Sequence, residues 1–151
     1  IPANLVIVGK PGWLTEALTT RLSTHPQLGN QLVWLQSASD EYLEKIYAAA
    51  RCLIAASEAE GFGLPLIEAA RHGLPIIARD IPVFREVAQE HAVYFAGDEG
   101  AALATVVQRW LALAKQQKTP DSRQIQRQTW AQSAQQLLSR LISAKDVTKI
   151  A

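Results

Sequence analysis

Ser57-Glu-Ala-Glu-Gly-Phe-Gly-Leu-Pro-Leu-Ile-Glu-Ala-Ala-Arg-His-Gly73 is the stretch from which the fold of this chain can be inferred. The apolar run at residues 51–56 precedes it and is typical of a short buried strand. Pro65 suits the first turn of a helix, and Gly73 suits the residue just past its end. The stretch therefore predicts a strand, a glycine-containing turn and a helix.

This turn has the chemistry of a nucleotide-sugar pocket. A helix N-terminus presents backbone N–H groups to an anion, and Gly61 and Gly63 let the backbone approach a ligand closely. Glu60 and Glu68 bracket the turn, and a carboxylate accepts hydrogen bonds from sugar hydroxyls. The competing interpretation is that the two glycines serve only the turn and that the acids are solvated.

Strands and helices alternate along the rest of the chain. We predict strands at residues 5–8, 31–35, 52–56, 74–78 and 92–95. We predict helices at 13–23, from Ser37 or Ser39 to about 50, at 65–72, 97–117 and, after a break at 119–122, at 121–143. Residues 81–87 are predicted to form a short helix or a turn. This order favours a Rossmann-like α/β domain of three layers around a parallel sheet. The glycine turns at 9–12 and 61–63 then fall at the same, carboxyl-terminal edge.

Composition limits the possible functions. The 151 residues suit one domain, and a net charge of +1 argues against nucleic-acid binding. The single cysteine, Cys52, lies in an apolar run and is interpreted as a core residue. The three histidines have no zinc-ligand spacing, so no metal site is predicted. No apolar run is long enough to span a membrane, which leaves peripheral membrane contact open.

The segment Glu60-Gly-Phe-Gly-Leu-Pro-Leu-Ile-Glu68 resembles the E-x7-E motif of retaining glycosyltransferases of the GT-B fold, in particular family 4. The likeness extends from about Leu5 to Leu138. The segment Arg79-Asp-Ile-Pro-Val-Phe-Arg-Glu-Val87 is most similar to the corresponding segment of bacterial mannosyltransferases that build surface polysaccharides. The resemblance implies that this chain corresponds to the carboxyl-terminal, donor-binding half of such an enzyme.

The resemblance also implies roles for single residues. Glu68 would hold the ribose hydroxyls, and Glu60 would hold hydroxyls of the transferred sugar and stabilise an oxocarbenium-like transition state. Gln36 and Ser37 would line the base, and Lys10 would contact phosphate unless it is a surface lysine. The turn amides would hold the diphosphate or the sugar, at Gly61, Phe62, Gly63 and Leu64. The implied donor is a nucleotide diphosphate sugar, with GDP-mannose as the first choice, and no metal or other cofactor is implied.

Two features depart from the family pattern. The chain begins at what resembles the second strand of the domain, and the acceptor-binding domain is missing. The sequence also contains no methionine. We therefore expect a fragment of a longer cytoplasmic protein that acts at the inner face of the membrane on a glycan acceptor. We also expect the isolated chain to be inactive. The exposed sheet edge predicts association between copies.

Alternatives remain at this stage. The chain could be a non-catalytic nucleotide-binding or assembly module of a polysaccharide-synthesis protein, or part of a sugar-nucleotide epimerase. Phe62 could be a packing residue. Arg79 and Arg85 could each contact phosphate or lie on the surface. The four tryptophans are interpreted as core or interface residues.

Overall fold

A computed structural model describes residues 3–12, 15–126 and 130–147. The strands are β1 (Leu5–Val8), β2 (Leu32–Leu35), β3 (Leu53–Ala55), β4 (Ile76–Arg79) and β5 (Val93–Phe95). The helices are α1 (Glu16–Ser23), α2 (Asp40–Ala49), α3 (Leu64–Arg71), α4 (Pro82–Ala88), α5 (Gly100–Lys115) and α6 (Trp130–Val147), with a 3-10 helix at Ser122–Gln124. The predicted alternation of strands and helices is confirmed. The predicted start of α1 at Trp13 lies outside the described residues.

The contacts divide the chain into two compact units, Ile1–Ala49 and Ala50–Ala151. In the first unit, β1 and β2 run parallel, with Leu5 opposite Leu32 and Val8 opposite Leu35. The single parallel sheet of the sequence prediction is therefore found as two parallel sheets, since β3, β4 and β5 form the other. The organisation of the chain as one domain stays a prediction.

The second unit is built on β4. This strand lies between β3 and β5 and runs parallel to both, with Ile76 opposite Leu53 and Ile77 opposite Val93. Strands of an all-parallel sheet are normally covered by helices on both faces, and Ile76, Ile77 and Ala78 are accordingly buried. The carboxyl ends of the three strands thus share one edge.

Helix α5 covers one face of this sheet. Trp110 of α5 is only 7% exposed and packs in a buried cluster with Ile77, Val93 and Phe95. Partly buried α5 side chains surround that cluster at Leu103, Val106, Val107, Leu111, Leu113 and Ala114. The prediction that Trp110 is a core residue is confirmed.

The predicted helix at 121–143 is wrong in its first part. The Asp121 carboxylate accepts the Arg123 backbone N–H at 3.1 Å and caps the 3-10 helix instead. Ile125 then takes an extended conformation and is 3% exposed, so it belongs to the core and not to a helix stripe. Within the described residues, helix α6 spans Trp130–Val147.

Within residues 3–12, 15–126 and 130–147, no helix combines the length and apolar character needed to cross a membrane.

Candidate functional site

Gly63 forms the junction between the turn and α3. It is the N-cap of α3 and has φ 76°, in the left-handed region that favours glycine. A Cβ added there would lie 3.5 Å from both Phe84 and Val87 of α4, and Gly63 is buried. The missing side chain of Gly63 therefore faces the protein interior. The role of its backbone amide at the donor stays a prediction.

Gly61 is the glycine that faces open space. A Cβ at this position would meet nothing within 4 Å, and the residue is exposed. A close approach of a ligand to the backbone of Gly61 is therefore sterically possible.

The two acids lie on either side of this turn. Glu60 is half-buried, and its Oε1 accepts the N–H of Gly61 at 3.1 Å. Glu68 lies in the second turn of α3, is also half-buried and is engaged in an interaction within the protein. Both acids are thus partly shielded from solvent and engaged within the protein.

Phe62 and Leu64 are apolar side chains on the surface of the turn. Phe62 is 60% exposed and Leu64 is 55% exposed. The alternative that Phe62 is a packing residue is therefore wrong. Because Gly63 is the residue that turns inward against α4, the side chains on either side of it point outward.

The first unit holds the remaining candidates at the ends of its two strands. The N–H of Gly9 donates to the carbonyl of Leu35 at 2.9 Å, so the ends of β1 and β2 are adjacent. Lys10 and Gln36 directly follow this pair, Ser37 comes next, and all three are exposed. The structure thus brings these three residues to one edge of the first unit.

Arg85 is held by an acid of its own unit. Its Nε and Nη2 donate to the two carboxylate oxygens of Asp80, both at 2.7 Å, and its guanidinium lies 3.7 Å from the centre of the Tyr94 ring. The hydrogen bonds from Arg85 lower the pKa of the Asp80 carboxyl. The charge of Arg85 is therefore already balanced by a neighbouring carboxylate.

Arg79 is the residue whose role sequence reasoning missed. Its guanidinium is largely buried and binds groups that follow β3 and β5. The sequence did contain one indication of this role. Arg79 is a charged residue at the end of the short apolar strand β4, and a charge in such a place needs partners.

The described residues also bear on metal and thiol chemistry. Within the described ranges, no group of three His, Cys, Asp or Glu side chains is placed to hold a metal ion.

Burial raises the pKa of the Cys52 thiol to about 12. This thiol therefore stays protonated at neutral pH and is a poor nucleophile.

Comparison with known proteins places the turn in a family context. Residues 1–127 match the model of the family described as "Glycosyl transferases group 1". The chain is 56% identical over 138 residues to the serotype-specific mannosyltransferase WbdA of Escherichia coli, covering 91% of this chain and 17% of WbdA. It is 38% identical over 73 residues to the O-antigen chain mannosyltransferase RfbU of Salmonella typhimurium, covering 48% of this chain and 21% of RfbU. The chain thus spans about a fifth of these relatives.

Solved structures show the same fold. Sucrose-phosphate synthase of Thermosynechococcus elongatus superposes with a TM-score of 0.71 at 26% identity, over 93% of this chain and 39% of that one. Anabaena HepE, solved in complex with UDP and glucose, superposes with a TM-score of 0.69 at 21% identity, over 93% of this chain and 40% of that one.

Proposed function

The chain belongs to the glycosyl transferases of group 1, and we propose that it forms the donor-binding part of a retaining glycosyltransferase. The proposed reaction transfers mannose from GDP-mannose to a polysaccharide or lipid-linked acceptor. The observation that carries the proposal is the pair of half-buried acids, Glu60 and Glu68, on either side of a turn that opens a helix at the carboxyl edge of a parallel sheet.

Each part of the turn has a proposed task. The amides at Gly61–Leu64 bind the diphosphate or the sugar at the N-terminal end of α3, where the helix dipole favours negative charge. The Gly61 N–H already donates to Glu60, so it binds the donor only by exchanging that bond. Glu68 accepts hydrogen bonds from the ribose hydroxyls. Glu60 binds hydroxyls of the transferred sugar and stabilises positive charge that develops at the reacting carbon.

The hydrogen bond from the Gly61 N–H to the Glu60 carboxylate orients this side chain for ligand binding. One carboxylate oxygen accepts the neighbouring N–H at 3.1 Å, which restricts the side chain before any donor arrives. The second oxygen is then available for a sugar hydroxyl. An acid that is already oriented loses less entropy when it binds its ligand.

Mannose as the transferred sugar is supported by the relatives. WbdA, at 56% identity, and RfbU, at 38%, are both described as mannosyltransferases. GDP as the nucleotide is the finer part of the proposal, and a comparison of GDP-mannose with UDP and ADP sugars tests it. In the first unit, Gln36 and Ser37 are proposed to line the base and Lys10 to contact phosphate.

The test substitutes the two acids in the full-length protein. Glu60→Gln and Glu68→Gln keep the shape of each side chain and remove its charge. We expect each variant to lose mannosyl transfer by about 100-fold or more, because charge stabilisation of a transition state contributes on this scale. Glu58→Gln is the matched control, since Glu58 is an exposed acid on the same turn and its loss should leave the rate unchanged.

Other outcomes would support other functions. Full activity in both variants would mean that the chain is a non-catalytic nucleotide-binding or assembly module. Conversion of the nucleotide sugar into an epimer without any acceptor would indicate an epimerase.

A further inference from the structure

The side chain of Arg79 joins the ends of two strands across β4. Its Nε donates to the carbonyl of Ala56 at 3.0 Å, and its Nη1 donates to the carbonyl of Gly97 at 2.6 Å. Its centre lies 5.2 Å from the centre of the Phe95 ring. Ala56 directly follows β3 and Gly97 follows β5, so one guanidinium fixes the spacing of two segments at the carboxyl edge of the sheet.

The charge of Arg79 also has a partner. Nη1 lies 2.7 Å from Oδ1 of Asp98, whose side chain is 82% exposed, while the Arg79 side chain is only 15% exposed. An ion pair with so exposed an acid is screened by water and contributes little. The two carbonyl bonds are therefore the contacts that determine the geometry.

The segment that follows Ala56 has few other attachments. No backbone–backbone hydrogen bond joins residues 57–62 to another described segment. The N–H of Gly61 donates only to the adjacent Glu60 carboxylate. At its far end the segment is fixed by Gly63 and α3. The β3–β4 ladder holds the chain as far as Ala55, and the Arg79–Ala56 bond is the next attachment along the chain, four residues before Glu60.

We propose that Arg79 is a positioning residue for the donor site. It does not touch the donor. It holds the carbonyl of Ala56 in place, and the turn that starts there then places the Glu60 carboxylate against the sugar. This inference rests on the proposed function, and it assigns Arg79 neither to phosphate binding nor to the surface. A lysine cannot replace it, because one ammonium lacks the planar fork that reaches two carbonyls at once.

The test uses the full-length protein with Arg79→Gln and Arg79→Lys. We expect each variant to lose about tenfold or more in kcat/KM for mannosyl transfer, since a misplacement of about 1 Å can cost up to 100-fold. Rates are expressed per folded molecule, determined from near-UV circular dichroism. Arg85→Gln is the matched control, because Arg85 also pairs with an aspartate and lies over an aromatic ring. It should stay within about twofold of the parent.

A double-mutant cycle separates positioning from a purely structural role. If Arg79 acts through Glu60, Arg79→Lys should weaken the binding of GDP-mannose in the parent and have little further effect in Glu60→Gln, measured by calorimetry. Independent losses that simply add, or Arg79 variants within twofold of the parent, would overturn the inference. Should Arg79→Gln fail to fold, Arg79→Lys decides alone.

The same data distinguish the two proposals. Full transfer activity in Glu60→Gln would overturn the proposed function. An inactive Glu60→Gln together with fully active Arg79 variants would overturn only the role of Arg79.

Discussion

Gly61 and Gly63 are two residues apart but differ in what a side chain would meet. Gly63→Ala would force an L-residue into the left-handed region at φ 76°, which costs about 1–2 kcal/mol. We expect urea denaturation to show a loss of about that size in the free energy of unfolding.

The matched control is Gly61→Ala, which adds a methyl group in open space. We expect it to leave stability unchanged and to weaken donor binding in the full-length protein, where the added Cβ meets the ligand. Equal destabilisation by both substitutions would contradict the different roles assigned to the two glycines.

Cys52 illustrates how burial changes the chemistry of a single group. Desolvation by burial raises the pKa of its thiol from 9.0 to about 12. At pH 8 the folded chain should therefore react with iodoacetamide roughly 1000-fold more slowly than the unfolded chain, since only the thiolate reacts. Mass spectrometry of alkylation with and without urea measures this ratio.

The same shift has a consequence for stability. The folded state holds the thiol proton more tightly than the unfolded state. The contribution of the Cys52 thiol to the free energy of unfolding is therefore complete below about pH 9. It is lost as the pH rises through about 12. Similar alkylation rates in the folded and unfolded chains would contradict the burial of Cys52.

At the scale of elements, α5 is attached to the sheet of the second unit through Trp110. Trp110→Ala should destabilise the chain by about 3–5 kcal/mol, the range found when a buried aromatic ring is removed. Within the described residues the Trp110 Nε1 has no hydrogen-bond partner. Trp110→Phe should therefore cost much less, because no hydrogen bond is lost.

Gln108→Ala is the control for both substitutions, since Gln108 lies on the exposed side of α5. It should change the free energy of unfolding by less than about 0.5 kcal/mol. Because Ala favours the helix more than Gln does, a large loss in this variant would mean that contacts on the exposed side of α5, and not packing of Trp110 alone, determine how α5 contributes.

At the scale of the whole molecule, the chain spans 17% of the length of WbdA. We propose that transfer requires a second domain that closes over the donor and holds the acceptor. We expect the 151-residue chain alone to give no measurable turnover with GDP-mannose and acceptor glycan, while the full-length protein is active. Radiolabelled transfer assays on both proteins measure this, and a robust turnover by the chain alone would contradict it.

The sequence by itself determined the order of the elements and the position of the turn. Apolar runs, Pro65, the glycines and the spacing of Glu60 and Glu68 act over a few residues, so their consequences can be inferred locally. It also indicated the family, because the motif and its flanking strands lie in one continuous stretch. Asp121 shows the limit of such patterns. Its side chain accepts the backbone N–H of Arg123 and caps a 3-10 helix, so the α-helix predicted around Ile125 does not form there.

Only the tertiary structure decided which glycine faces open space and which groups Arg79 contacts. The inward direction of Gly63 depends on Phe84 and Val87, which lie on another helix. The bonds of Arg79 reach Ala56 and Gly97, 23 and 18 residues away along the chain. No local pattern encodes such contacts, because they exist only once parallel strands have brought their carboxyl ends to the same edge of the sheet.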